Sequence, residues 1–92
     1  MSSTIEAIRA EALFASSLQS SQRPAADEVR ATVATTLRRF GIRGCAVQVA
    51  GEFGDHPETA VTRMAWALAT IRSVYAHRPA ARPRYRAVAL AA

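Results

Sequence analysis

Five apolar residues in the second half of the chain, Val61, Met64, Leu68, Ile71 and Tyr75, recur at steps of three and four. That spacing is the seam of a helix packed in a bundle or coiled coil, and it does not fit a strand, whose faces alternate with period two. The predicted helix opens near Pro57 and extends to about Ala76, with Pro79 and Pro83 as its stop. A single helix cannot bury such a seam alone, so the rest of the chain must supply its cover.

Three further helices fit the upstream pattern, and no segment reads convincingly as a strand. The first runs from about Thr4 to Ser20, with Ser3 and Glu6 at capping-box spacing. Ile5, Ile8, Phe14 and Leu18 give it an apolar side, although the periodicity is ragged. "SSQRP" then interrupts it. The second runs from about Pro24 to Phe40. Pro24 suits a first turn, Asp27 and Glu28 lie at the positive end of the helix dipole, and Arg38 and Arg39 lie at the negative end. Val29, Val33, Leu37 and Phe40 form its stripe, and Gly41 fits a left-handed residue just past its end. The third is short, from about Gly44 to Phe53, with Cys45, Val49 and Phe53 recurring every four residues.

Charge is distributed unevenly. All twelve basic residues are arginine, a bias that high-GC coding alone can produce. Residues 1–58 carry six Arg against seven acids, whereas residues 59–92 carry six Arg and no acid, which places the whole net charge of +5 in the last third. Such asymmetry points to an anionic partner for that end. The single cysteine, Cys45, permits no internal disulfide and supplies no metal-binding set. Glu6 and Glu11 precede the short apolar stretch near the N-terminus with no basic leader, unlike a secretion signal, and Met64–Ile71 is too short to span a bilayer. A cytoplasmic protein without a membrane segment is the expectation.

The corner "GDHP", residues 54–57, joins the third and fourth helices in the manner of a helix-turn-helix. Asp55 or His56 would cap the fourth helix, with Glu58 at its positive end. If that helix reads DNA, Thr59, Thr62, Arg63, Trp66 and Thr70 fall on its outer face. Arg63 would then meet base edges, and the threonines would meet phosphates or thymine methyls. Asp55 and Glu58 oppose this, since they put negative charge near the phosphates.

Trp66 projects almost opposite the seam, among the small residues Thr62, Ala69, Thr70 and Ser73. Either the first helix covers it from behind, making the fourth helix the centre of the bundle, or Trp66, Thr70 and Ser73 form an interface with another chain or a second copy. The tail "HRPAARPRYR" combines Arg78, Arg82, Arg84 and Arg86 with a tyrosine. It suits phosphate contact and base stacking, or is a solvated terminus. Catalysis is not expected. Cys45 would sit at a helix start, where the dipole lowers a thiol pKa, yet His56 lies beyond the far end of that helix. No cofactor, metal set or small-molecule substrate is indicated.

Residues 43–68, "RGCAVQVAGEFGDHPETAVTRMAWAL", resemble a segment of small proteins of high-GC actinobacteria, through "GC", "EFGDHPETAV" and "RMAW". That resemblance implies a bacterial cytoplasmic setting and carries no assigned activity.

These readings combine into an all-α, compact four-helix bundle with a helix-turn-helix-like corner. It forms a single domain over residues 1–78, followed by a flexible Arg/Pro-rich tail over residues 79–92. The expected function is that of a small non-enzymatic regulator, a dimer contacting DNA. The alternative is a protein-interaction adaptor or homodimerisation module that does not touch DNA.

Overall fold

A computed structural model describes the backbone over residues 4–81 and the side chains over residues 4–76. The fold is all-helical, with no strand among the described residues. Three helices follow in order: α1 over Thr4–Ala15, α2 over Ala26–Asp55 and α3 over Pro57–Ala81. One short 3-10 turn, Ser20–Gln22, interrupts the connection between α1 and α2.

The expected four helices are therefore three. The second and third expected helices belong to one element, α2, which departs from helical geometry at a single residue, Gly41, with φ 75° and ψ 169°. The break falls where the sequence places it, and its positive φ is one that glycine adopts without the steric cost other residues meet. Its ψ, however, is extended and not that of a left-handed cap. The chain resumes helical geometry at once, so no loop separates the two halves. Gly44 has its own reason to be glycine: a Cβ there would lie 2.9 Å from Cβ of Phe40, across the break.

The corner between α2 and α3 is also tighter than "GDHP" predicts. Gly54 and Asp55 still belong to α2, Pro57 already opens α3, and His56 alone turns the chain, with φ −139° and ψ 63°. Its amide donates to the Glu52 carbonyl at 2.7 Å, and its own carbonyl accepts from the Ala60 amide at 2.9 Å. One residue thus closes α2 and starts α3, with Pro57 in a first turn that needs no amide donor.

The centre of the molecule is α1, not the fourth expected helix. No residue from Ile8 to Ala15 is exposed, and Ala10, Ala12, Leu13 and Phe14 are buried. Those four cannot share one face of a helix; α1 packs against both other helices, which accounts for its ragged apolar pattern. It ends at Ala15, earlier than the expected Ser20. Ile5, expected on the apolar side, is exposed. The expected partner of Glu6, Ser3, lies outside the described residues; Glu6 instead binds Nε of Arg72 at 2.8 Å.

Around α1, Val29, Val33 and Cys45 of α2 are buried, as is the hydroxyl-bearing Thr36, and Leu37, Val49 and Phe53 pack at their edge. Phe40, expected in the same stripe, is exposed. The rings of Phe14 and Phe53 stack at 6.1 Å between centroids. On α3 the expected seam holds from Met64 onward. Ala60, Ala67 and Ile71 are buried, Met64, Leu68, Val74 and Tyr75 are half-buried, and Val61 is 59% exposed. Two alanines are thus part of the buried face, where small side chains let helices pack closely, a role that ranking residues by size misses. The expected stop at Pro79 is not observed, since the α3 backbone stays helical to Ala81.

Candidate functional site

The site is built on the C-terminal end of α1. A helix ends with carbonyls that lack partners within it and a partial negative charge. Here Arg63 of α3 meets both needs. Its Nε donates to the Phe14 carbonyl at 3.0 Å, and its Nη2 donates to the carbonyls of Ser16 at 3.0 Å and Leu13 at 3.3 Å. The Ser16 hydroxyl donates to the Leu13 carbonyl at 2.6 Å and accepts from the Leu18 amide at 3.2 Å, folding the chain away from the helix. The guanidinium lies over the rings of Trp66, at 5.1 Å, and Phe14, at 5.6 Å. Burial pulls its pKa below the ordinary arginine value, with the charge of Glu52 opposing that shift.

This corrects the expected role of Arg63. A side chain committed to three backbone carbonyls and two aromatic faces does not project to base edges. The other α3 arginine with a described side chain is also engaged, Arg72 with Glu6, while Arg9 of α1 lies over Tyr75 at 3.9 Å. Together they join the ends of α1 and α3 in antiparallel order. Thr59 and Thr62 are exposed as expected, but their hydroxyls donate to their own helix, to His56 O at 3.2 Å and Glu58 O at 3.4 Å. Arg78 lies on the α3 backbone with its side chain outside the described residues, and Arg82, Arg84 and Arg86 lie outside them altogether.

With Arg63 fixed, Trp66 is held half-buried between two open clefts. One, of about 460 Å³, is lined by Gln19, Glu58, Thr59, Thr62 and Arg63. The other, of about 580 Å³, runs along Trp66, Thr70 and Ser73 and faces Arg23, Pro24 and Arg30. The three residues expected at an interface therefore line one cleft. Its opposite wall, which the sequence reading missed, comes from the α1–α2 connection and the start of α2. This connection flanks the indole. The signal was present in "SSQRP", which breaks the helix, but nothing local tells where the broken chain lies. Arg23 takes a left-handed conformation there, φ 50° and ψ 60°, closing the 3-10 turn through its amide to Ser20 O at 3.1 Å. Among the described residues, both charged side chains lining this cleft are cationic. Arg30 also binds Asp27 at 2.6 Å, an exposed pair of small energetic weight.

Cys45 lies in the first helical turn after the break at Gly41. It is buried within the second half of α2, and desolvation, followed by the charge of Glu11, pushes its thiol pKa up. No group of three or more His, Cys, Asp or Glu that could hold a metal occurs among the described residues, and none of the described helices is long and apolar enough to cross a membrane. No family model matches the chain, and no curated protein or solved structure matches it.

Proposed function

We propose that this chain is a non-enzymatic helical interaction module that seats an acidic segment of a protein partner in the cleft along Trp66, Thr70 and Ser73. The observation that carries this reading is the Trp66 indole, held half-exposed by Arg63 along a cleft whose charged lining is Arg23 and Arg30. An aromatic anchor beside Arg23 and the Asp27-paired Arg30 suits a segment with an apolar side chain flanked by carboxylates. Thr70 and Ser73 add hydroxyls able to bond a peptide backbone.

A DNA-reading regulator has less support. Its base-facing cation is Arg63, which is bonded to α1, and its corner is one residue where a helix-turn-helix uses three or four. Asp55 and Glu58 remain exposed beside that corner.

Trp66 is the one tryptophan of the chain, so its emission reports directly on the cleft. Titration with peptides of matched length and acidic, neutral or basic composition should shift that emission for the acidic set alone, and Arg23→Glu with Arg30→Glu should remove the response. Equal response to all three sets overturns the reading. Anisotropy with duplex DNA at low salt gives the contrasting outcome: binding lost when Arg78, Arg82, Arg84 and Arg86 are replaced would return the DNA reading to first place.

A further inference from the structure

Among the described residues, the second half of α2 leaves one face unpartnered. Cys45, Val49 and Phe53 turn toward α1. At ~100° per residue, Arg43, Val47, Ala50, Gly51 and Gly54 share the opposite side. Every one of these five is exposed, and Val47 is 69% exposed. Residues 44–51 carry no charge. Gly51 stands within the helix although a Cβ there would meet nothing within 4 Å. Packing among the described residues therefore gives no reason for a residue that weakens helices.

We infer that this face is the seat of a second copy of the chain, paired antiparallel about a twofold axis that passes midway between Val47 and Gly51. The pattern is complementary to itself in that arrangement. Val47 of each copy lies against Gly51 of the other, a projecting side chain over a backbone without one. Arg43 lies four residues before Val47 and Asp55 four residues after Gly51. The same axis therefore brings Arg43 of each copy beside Asp55 of the other, at both ends of an uncharged centre. Both side chains are exposed and neither makes an ion pair among the described residues. Such a contact is isologous and closes as a dimer without leaving a second sticky face. A parallel pairing would bring arginine to arginine and carboxylate to carboxylate.

This pairing does not involve Trp66 and stands apart from the acidic-segment reading. Sedimentation velocity on the full chain tests it. The wild-type chain should move from monomer to dimer with concentration. Arg43→Glu and Asp55→Arg should each weaken the dimer about tenfold or more, because each sets like charges against one another. Mixed in equal amounts, the two variants should associate again, since the mixed pair sets Glu against Arg at one end and Arg against Asp at the other. Gly51→Leu should abolish the dimer while helical circular dichroism persists, and Trp66→Ala should leave it intact. A wild-type chain that stays monomeric throughout, variants that dimerise like wild type, a mixture no better than its components, or a Gly51→Leu chain that still dimerises each overturn the pairing.

Discussion

The inner face of α3 and the outer face of the second half of α2 use the same residue types for opposite ends. On α3, Ala60 and Ala67 are buried in the core, and Arg63 is drawn in to close the end of α1. On α2, Ala46 and Ala50 lie in solvent with Val47 and Gly51, and Arg43 makes no ion pair among the described residues. Composition does not separate the two faces. What separates them is whether another helix supplies orphan backbone groups and apolar surface at that place. Arginine bonded to buried carbonyls is part of the fold, whereas arginine beside an open apolar face is available to a partner.

The largest effect expected from this contrast is at Arg63. Arg63→Ala removes three charge-assisted hydrogen bonds and leaves the end of α1 without its cation, a loss of about 3 kcal/mol. In a domain of this size that lowers the melting temperature by roughly 10–20 °C. Arg63→Lys keeps the charge but not the planar fork and should fall between. Arg43→Ala, by comparison, should change the monomer by no more than about 0.5 kcal/mol. Thermal melts at a concentration too low for association measure both, and equal losses would erase the distinction between the two faces.

Next in size is the alanine contrast. Ala67→Leu inserts three carbon atoms at a fully buried position and should cost about 1–3 kcal/mol by overpacking. Ala50→Leu, on the open face, should cost nearly nothing in the monomer. Urea unfolding midpoints give the comparison directly. An Ala67→Leu chain as stable as wild type would mean that the α1–α3 contact has room that its buried alanines do not show.

These two sites also mark what could be read from the sequence. The α2 stripe of Val29 and Val33, the boundary residue Gly41 and the spacing of Cys45, Val49 and Phe53 are local patterns, and they fall on the faces their periodicity predicts. The α3 seam holds at Met64, Leu68, Ile71 and Tyr75 and fails at Val61, which is exposed while the small residues Ala60 and Ala67 are buried. The destination of Arg63 was not legible either. Its partners lie 47 to 50 residues away, and they are carbonyls, which every residue has and no sequence motif marks. For the cleft, Trp66, Thr70 and Ser73 could be grouped from helical spacing, but its second wall of Arg23, Pro24 and Arg30 depends on how the α1–α2 connection folds back.

Gly51→Ala sharpens the comparison with the opposite sign. Nothing lies within 4 Å of the added methyl, and alanine favours the helix by about 1 kcal/mol over glycine, so the dilute monomer should gain about that much. Gly41→Ala, at φ 75°, should instead lose about 1–2 kcal/mol. A pair of melts that moved both variants in the same direction would mean that the break at Gly41 is not held in solution.

The smallest effect concerns Cys45, which sits on the inner side of the same half-helix whose outer side is open. Burial and the charge of Glu11 raise its thiol pKa in the folded chain above the ordinary 9.0. Above that ordinary value the unfolded chain releases the proton while the folded chain keeps it, so the unfolded state is favoured as pH rises. Its contribution to stability is therefore full below the ordinary value of 9.0 and is lost between that value and the raised one. The stability difference between wild type and Cys45→Ala should be flat from about pH 6 to 8 and should shrink only on the alkaline side. Thiol labelling of the native chain should stay slow through neutral pH and become fast once denaturant opens α2 from α1. A thiol that labelled rapidly at neutral pH in the folded chain would place Cys45 on the open side of the helix and exchange the inner and outer faces assigned to α2.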